Sequence, residues 1–317
     1  MSRMDKALIE LGQALKTRGY RFTTPTPATH AIVNARPENQ TAETLEQVFG
    51  WSRCFEPADL PQDLLALLDQ ADALGASNGV LKSKVRFSTL GSLLFLHSQF
   101  PTTASDSVFF GPDTYRFARA LQSAIESWTS WEPKRIADIG CGTGAGGFFA
   151  RTLFARGAEL ILGDINEAAL RYARINAAIN DQSDATIVNS NILSAVDGDL
   201  DLIVANPPYL VDPQGRVYRN GGGTFGESLS LEILKESIAR LSPDGRLVLY
   251  TGTAIVGGKD QFFSAAEPLL KSAECAFAYE EIDPDVFGEE LNEPAYASAE
   301  RIAVVALTVH RRKERQT

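Results

Sequence analysis

Residues 137–147, ADIGCGTGAGG, are the most informative stretch of the sequence, because a short apolar run ends there in a glycine-rich turn. The run RIADIG from Arg135 predicts a buried strand, and residues 145–156 beyond the turn predict a helix. Glycine lets the backbone approach a ligand closely, and the first turn of a helix offers unpaired amide groups. The stretch therefore predicts a strand, a ligand-binding turn and a helix, which together open an α/β domain.

Short apolar runs continue to alternate with amphipathic ones after this turn. Six more strands are predicted at LILGD (160–164), TIVN (186–189), DLIVA (201–205), RLVLYT (246–251), AFAYEEI (276–282) and RIAVVALTVH (301–310). Helices are predicted at residues 167–180, 229–241 and 261–272. The alternation predicts a doubly wound, mostly parallel seven-stranded sheet, which is a Rossmann-like α/β fold.

The first hundred residues have a different pattern. Three helical stretches, MDKALIELGQALKTRG (4–19), ETLEQVFGW (43–51) and PQDLLALLDQADALG (61–75), precede LKSKVRFSTLGSLLFLH at residues 81–97. This last stretch predicts two strands around a turn at residues 90–92. We therefore expect two domains, residues 1–104 and 105–317, of which the first is small, helical and winged-helix-like. Winged helices often bind nucleic acid, but no basic recognition helix is visible, so recognition of a protein substrate or simple packing is the alternative.

Composition and charge limit the class of protein. Of 317 residues, 44% are hydrophobic and 22% charged, and no apolar run is long enough to span a membrane, so we expect a cytoplasmic protein without a membrane partner. Three scattered cysteines and three histidines predict neither disulfides nor a metal site. The net charge of -10 opposes bulk binding to phosphate backbones. The basic tail HRRKERQT fits a solvated terminus better than a nucleic-acid contact.

The glycine-rich turn by itself fits two cofactors. Gly142, Gly144 and Gly147 have the spacing of a dinucleotide-binding loop, and Asp164 stands about twenty residues beyond, where a ribose-binding acid is expected. A nicotinamide-dependent oxidoreductase is therefore one hypothesis. Asp138, however, would repel a pyrophosphate and would suit a ligand with a cationic group.

A second unusual stretch, DLIVANPPYL at residues 201–210, ends a predicted strand with an asparagine, two prolines and a tyrosine. Proline has no amide hydrogen for a sheet and pushes the preceding residue towards extended geometry. The acceptor groups of Asn206 and Pro207 are therefore expected to face something outside the sheet. A dehydrogenase has no use for such a motif.

With both motifs, the sequence resembles the class I S-adenosylmethionine-dependent methyltransferases, and among them the NPPY branch of release-factor glutamine methyltransferases and small-domain methyltransferases. The resemblance covers Phe109 to about the end of the chain, and it implies S-adenosylmethionine as the cofactor. Asn191 stands where the family usually has an aspartate beside the adenine. The cofactor residues that the resemblance implies are Pro112, Asp113, Thr114, Asp138, Gly140, Cys141, Gly142, Thr143, Gly144, Asp164, Asn191 and Asn206.

The same resemblance implies an N-methyltransferase in which Asn206, Pro207 and Tyr209 are the catalytic residues. The Asn206 side-chain oxygen and the Pro207 carbonyl would accept the two hydrogens of a planar nitrogen, and Tyr209 would stack on the planar group. The favoured acceptor is a protein glutamine, with release factors as candidates. The alternatives are an exocyclic base amine in RNA or DNA, or a ligand-sensing protein without catalysis. The glycine-rich run at residues 219–234 is expected to be a substrate-side lid or a long connection.

Overall fold

The structure is a computed structural model that describes residues 1–77, 80–102, 104–154, 157–212, 216 and 218–312. The chain divides into two compact units. The N-terminal unit contains residues 1–115, 142–145 and 168–184, and the sheet unit contains the remainder. The boundary between residues 104 and 105 stays a prediction. Within the ranges described, no helix is long and apolar enough to cross a membrane.

The N-terminal part of the chain contains four helices and two hairpins among the described residues. The helices are α1 (Arg3–Thr17), α2 (Pro27–Asn34), α3 (Leu45–Phe49) and α4 (Gln62–Gln70). The strands are β1 (Leu74–Ser77), β2 (Val80–Ser83), β3 (Val85–Leu90) and β4 (Leu93–Ser98), paired antiparallel as β1–β2 and β3–β4. The predicted helices in α1, α3 and α4 and the predicted hairpin β3–β4 are confirmed.

Three features of this unit differ from the sequence prediction. The sequence did not predict α2 or the hairpin β1–β2. The helix predicted through Gly75 ends at Gln70, because Asp72 has a left-handed backbone with φ of 50° and β1 begins at Leu74. Leucine repeats of this kind suit a buried helix and a buried strand equally well, so the end of α4 was not visible in the pattern.

The rest of the chain forms the Rossmann-like architecture. Its helices are α5 (Pro112–Glu126), α6 (Ala145–Thr152), α7 (Glu167–Ile179), α8 (Ser228–Arg240) and α9 (Gln261–Ser272). Its strands are β5 (Arg135–Ile139), β6 (Glu159–Asp164), β7 (Thr186–Asn189), β8 (Leu200–Ala205), β9 (Leu241–Val256), β10 (Lys259–Asp260), β11 (Ala276–Asp283) and β12 (Arg301–His310). All seven predicted strands are present, and the two-residue β10 is an addition. The predicted end of α6 at residues 155–156 lies outside the described residues.

The main sheet has the strand order β11-β12-β9-β8-β5-β6-β7, with β10 beside β9. The five strands from β9 to β7 run parallel to their neighbours, whereas β12 is antiparallel to both β9 and β11. Every residue of β8 except Asp201 is buried, which explains its continuous apolar sequence. The chain leaves β5 towards β6 and returns on the other side at β8, so the strand order reverses between β5 and β8.

Candidate functional site

Three of the predicted residues lie side by side at the carboxyl edge of the main sheet. Ile139 of β5 pairs with Gly163 of β6 on one side and with Ala205 of β8 on the other. The next residues along these strands are Gly140, Asp164 and Asn206. In open α/β sheets, ligands bind outside the carboxyl ends of the strands where the strand order reverses. The register therefore brings these residues to the expected place for a ligand.

The glycine-rich turn has the backbone that only glycine adopts readily. Gly140, Gly142 and Gly144 have φ angles of 66°, 52° and 81°. A Cβ placed on Gly140 or on Gly142 would have no neighbour within 4 Å, so open space adjoins both residues. Between them, the Cys141 backbone N–H donates to the Gly163 carbonyl at 3.0 Å, and its side chain is buried. The turn is thus anchored to β6 and can accept a ligand against its glycines.

Asp138 is buried beneath this turn. Its side chain is 3% exposed, and Oδ2 accepts a hydrogen bond from the Gly147 backbone N–H at 2.7 Å. The pKa of Asp138 is raised to about 7, chiefly because burial disfavours the carboxylate; the hydrogen bond from the Gly147 N–H opposes this shift, and the nearby Asp164 carboxylate adds to it. In this structure Asp138 holds the first turn of α6. Its predicted contact with the cofactor stays a prediction.

Gly147, part of the dinucleotide-type spacing, has a packing role. A Cβ at Gly147 would lie 2.5 Å from Leu162 Cδ2, and one at Gly146 would lie 2.6 Å from Phe117 Cε1. Such distances are shorter than van der Waals contact, so these two glycines let α6 approach its neighbours. The glycines at 140 and 142 face open space, whereas those at 146 and 147 face side chains.

Asp164 and Asn191 lie at the ends of adjacent strands. Asp164 is half-buried, and its Oδ1 accepts a hydrogen bond from the Asn166 backbone N–H at 2.9 Å. A carboxylate can accept several hydrogen bonds at once, which suits ribose hydroxyls. Asn191 is exposed just after β7, in a turn where its backbone N–H donates to Ser194 Oγ at 3.2 Å.

The predicted residues Pro112, Asp113 and Thr114 form the start of α5 and belong to the N-terminal unit. Thr114 Oγ1 accepts from the Gly111 backbone N–H at 3.3 Å, and Asp113 is 8% exposed. Gly142–Gly144 belong to the same unit. The other predicted cofactor residues belong to the sheet unit.

The Asn-Pro-Pro-Tyr motif follows β8 directly. Asn206 is half-buried, whereas Pro207 and Tyr209 are buried. The Tyr209 ring packs on the backbone of Gly252, since a Cβ there would lie 2.1 Å from Tyr209 Cδ2.

Tyr209 is enclosed by two further rings. Its ring centroid is 6.5 Å from that of Tyr250 and 6.1 Å from that of Phe287. With Tyr209 6% exposed, stacking of an acceptor on it requires a neighbour to move. Phe287 lies on the connection between β11 and β12, whereas Tyr250 lies on β9.

The glycine-rich run after the motif packs on the motif's backbone. The Leu210 N–H donates to the Arg219 carbonyl at 3.2 Å, and the Gly221 N–H donates to the Leu210 carbonyl at 2.8 Å. A Cβ at Gly226 would lie 2.1 Å from the Tyr209 carbonyl oxygen. The run is therefore a segment that holds Tyr209 and Leu210. Residues 213–215 and 217 lie outside the described residues.

Tyr296 is a functional candidate that the sequence did not indicate. It is 1% exposed, its hydroxyl accepts from the Val211 backbone N–H at 3.0 Å, and it donates to the Phe225 carbonyl at 3.2 Å. One buried hydroxyl thus joins both ends of the connection that follows the motif. Tyr296 lies 87 positions after Tyr209, and the sequence around it gives no sign of this contact, because the two segments meet only in the folded protein.

Among the residues that the structure describes, no group of His, Cys, Asp and Glu could hold a metal ion.

Part of the chain matches a known family of proteins. Residues 117–255 match the model of the methyltransferase small domain. The chain is 32% identical over 142 residues to a release factor glutamine methyltransferase of Deinococcus radiodurans, covering 41% of this chain and 49% of that protein. It is also 32% identical over 112 residues to a ribosomal RNA small subunit methyltransferase C of Actinobacillus succinogenes, covering 35% of this chain and 30% of that protein. The chain thus spans half or less of these relatives.

Among solved structures, wild-type Trm5b of Pyrococcus abyssi is similar with a TM-score of 0.50 and 13% identity, covering 85% of this chain and 72% of that chain. At this identity the similarity concerns the fold alone. The comparisons confirm the predicted Rossmann-like fold, and the match over residues 117–255 agrees with the predicted methyltransferase family and its cofactor. They favour this family over the nicotinamide-dependent alternative.

Proposed function

We propose that this chain, whose residues 117–255 form a methyltransferase small domain, transfers a methyl group from S-adenosylmethionine to a planar sp2 nitrogen. The favoured acceptor is the side-chain amide of a protein glutamine. The observation that carries the proposal is the position of Asn206, directly after β8 and beside the strand whose glycine turn begins at Gly140. An acceptor for a substrate N–H and a turn that suits the cofactor therefore leave neighbouring strands at one edge.

The residues at this edge fit S-adenosylmethionine. Asp164 would accept hydrogen bonds from ribose hydroxyls, and the space beside Gly140 and Gly142 would receive the methionine part. Once bound, the cofactor supplies an electrophilic methyl group on a sulfonium. The buried Asp138 carboxylate would stabilise a cationic ligand in a medium of low dielectric constant.

The protein's own groups would prepare the acceptor. An amide nitrogen is a poor nucleophile because its lone pair is delocalised, so both of its hydrogens must be fixed and its remaining face directed. The Asn206 side-chain oxygen and the Pro207 carbonyl would accept these two hydrogens. Tyr209 would exclude water and align the planar group once a neighbouring ring has moved. No general base is needed before transfer, because methylation makes the nitrogen acidic.

Charge and relatives support a protein acceptor. The net charge of -10 gives little attraction for phosphate backbones, and one relative is named a release factor glutamine methyltransferase. A release factor is therefore the first substrate to test. An exocyclic base amine in RNA is the second candidate, because another relative is named a ribosomal RNA methyltransferase.

The mechanism predicts that one variant loses methyl transfer while it keeps cofactor binding, and that another loses cofactor binding. Asn206→Ala should lower methyl transfer by roughly a hundredfold or more, because it removes an acceptor for the reacting nitrogen, and should leave cofactor affinity nearly unchanged. Asp164→Ala should weaken cofactor binding by about 1.5 to 3 kcal/mol. Calorimetry and transfer of radiolabelled methyl groups measure the two effects.

Asn189→Ala is the matched control, because the Asn189 side chain lies at the same edge but donates to Glu167 at 2.7 Å. Near wild-type transfer by Asn206→Ala would show that the asparagine is structural and would contradict the mechanism.

The substrate class is tested with purified protein, radiolabelled S-adenosylmethionine and cell extract. If the label is lost on protease treatment and retained after ribonuclease treatment, the acceptor is a protein. The reverse result would replace the glutamine acceptor by an RNA amine. A steep fall of substrate affinity between low and moderate salt would likewise indicate several phosphate contacts.

A further inference from the structure

The hairpin β3–β4 has an outer edge that another element must cover. Alternate residues of a strand point their N–H and C=O groups to the same side, and in β4 those of Leu94 and Leu96 point away from β3. Leu94 is 1% exposed and Leu96 is fully buried. Buried backbone groups need hydrogen-bond partners, so this edge cannot be left open.

Two asparagines of the α7 region supply those partners. Asn180 Oδ1 accepts from the Leu94 N–H at 3.0 Å, and Asn180 Nδ2 donates to the Leu94 carbonyl at 2.7 Å. Asn176 Oδ1 accepts from the Leu96 N–H at 2.7 Å, and Asn176 Nδ2 donates to the Leu96 carbonyl at 3.1 Å. Four helical residues rise about 6.0 Å and two strand residues about 6.7 Å, so the two spacings match.

The two asparagines differ in one contact. Asn176 Nδ2 also donates to the Thr143 carbonyl, at 3.0 Å, whereas Asn180 Nδ2 donates its other hydrogen to the carbonyl of Asn176 itself, at 3.0 Å. Thr143 lies between Gly142 and Gly144 in the glycine-rich turn and is 3% exposed. Asn176 is fully buried. A single side chain therefore ties the N-terminal hairpin to the turn.

The same hairpin also holds the segment before α5. The Phe110 ring is stacked between neighbours on β4, with centroids 5.5 Å from Phe95 and 5.3 Å from His97. Phe110 is two residues before Pro112, where the predicted cofactor-covering residues begin. Phe110, just before one predicted cofactor segment, and Thr143, within the other, thus contact β4 or its asparagine partner.

We propose that Asn176 is a positioning residue through which the hairpin β3–β4 fixes the glycine-rich turn for the cofactor. This inference rests on the proposed function. It gives the N-terminal unit a role in cofactor affinity, in addition to any role in substrate recognition. Asn176 acts through the Thr143 carbonyl, because left-handed glycines on both sides of Thr143 make the turn conformationally free without an anchor.

The test compares Asn176→Ala with Asn180→Ala, which removes an equivalent pair of hydrogen bonds to β4 and none to the turn. Asn176→Ala should raise the Kd for S-adenosylmethionine by about 3- to 10-fold relative to Asn180→Ala, the effect of one lost hydrogen bond. Denaturation in urea should show similar losses of stability for the two variants. At saturating cofactor, the transfer rate of Asn176→Ala should return to that of Asn180→Ala.

If Asn176→Ala does not fold, Asn176→Asp is used, because its carboxylate can still accept from the Leu96 N–H but has no N–H to donate to the Thr143 carbonyl. Equal Kd values for the Asn176 and Asn180 variants, with wild-type binding intact, would overturn this inference and leave the proposed function standing. No binding by the wild-type protein would overturn both.

Discussion

The two glycine-rich segments of this protein, the turn at residues 140–144 and the run at residues 221–226, are alike in composition and different in physical role. In the turn, Gly140 and Gly142 have left-handed backbones and open space where a side chain would be. In the run, a Cβ at Gly221 would lie 2.1 Å from the Gly226 carbonyl, and one at Gly226 would lie 2.1 Å from the Tyr209 carbonyl. The turn makes room for a ligand, whereas the run lets two backbones meet.

Different groups hold the two segments in place. The buried carboxylate of Asp138 binds the Gly147 N–H next to the turn. The run is held by Glu227, which accepts from the Phe225 N–H at 2.7 Å, and by the Tyr296 hydroxyl. Because Asp138 is a buried titratable group, the stability of the turn should depend on pH. Because the backbones in the run are in close contact, the run should not tolerate larger side chains at its glycines.

The largest effect is expected for Gly226→Ala. The added methyl group meets the backbone of Tyr209, which cannot move aside without shifting the Asn-Pro-Pro-Tyr motif. A misplacement of about 1 Å at a reacting group costs on the order of a hundredfold in rate. Methyl transfer should fall by at least that factor, while calorimetry should show cofactor affinity close to wild type.

Gly222→Ala is the control for backbone strain in the same run. Its φ of 69° is also left-handed, but its nearest neighbour to an added Cβ, Ser228, is 3.7 Å away. Equal losses in the two variants would mean that strain, and not contact with Tyr209, sets the effect.

A smaller, pH-dependent effect is expected for Asp138→Asn. Because the folded pKa of Asp138 is raised from 3.8 to about 7, the folded protein keeps a proton that the unfolded chain releases. Wild-type stability should therefore fall as the pH rises between these values and stay low above pH 7. One pKa unit corresponds to about 1.4 kcal/mol, so the loss amounts to a few kcal/mol at most.

Urea denaturation of the cofactor-free protein between pH 4 and pH 8 measures this difference. Relative to wild type, Asp138→Asn should gain stability with rising pH and bind S-adenosylmethionine more weakly at pH 8. Parallel stability curves for the two proteins would show that Asp138 is ionised at the low end of the range.

The smallest effect is expected for Gly142→Ala. Its φ of 52° costs an alanine about 1 to 2 kcal/mol, and no packing contact is lost. Gly19→Ala, with a φ of 72° and open space after α1, should lose a similar amount of stability. Gly142→Ala alone should also weaken cofactor binding, since its methyl group enters the space beside the turn. Equal cofactor affinities of Gly142→Ala and Gly19→Ala would show that the cofactor does not bind beside Gly142.

Local sequence signals predicted most of the sheet and part of the site. The seven predicted strands, the turn at Gly140 and the exit of Asn206 from a buried strand follow from apolar runs, glycine and proline. The end of α4 was missed because a leucine repeat does not reveal a left-handed residue such as Asp72. The roles of Phe287 and Tyr296 were missed because both act on residues far away in the chain.

Asn176 shows the difference between features that the sequence reveals and features that depend on the folded structure. The seven main strands of the sheet, the glycine turn and the Asn-Pro-Pro-Tyr motif could be read from the sequence alone, because each depends on neighbouring residues and on backbone preferences. An asparagine within a helix is locally unfavourable, yet its sequence neighbours do not say which backbone it contacts. That Asn176 joins Leu96 to Thr143 is visible only in the folded structure, because a hydrogen bond between residues 80 positions apart forms only once both segments are in place.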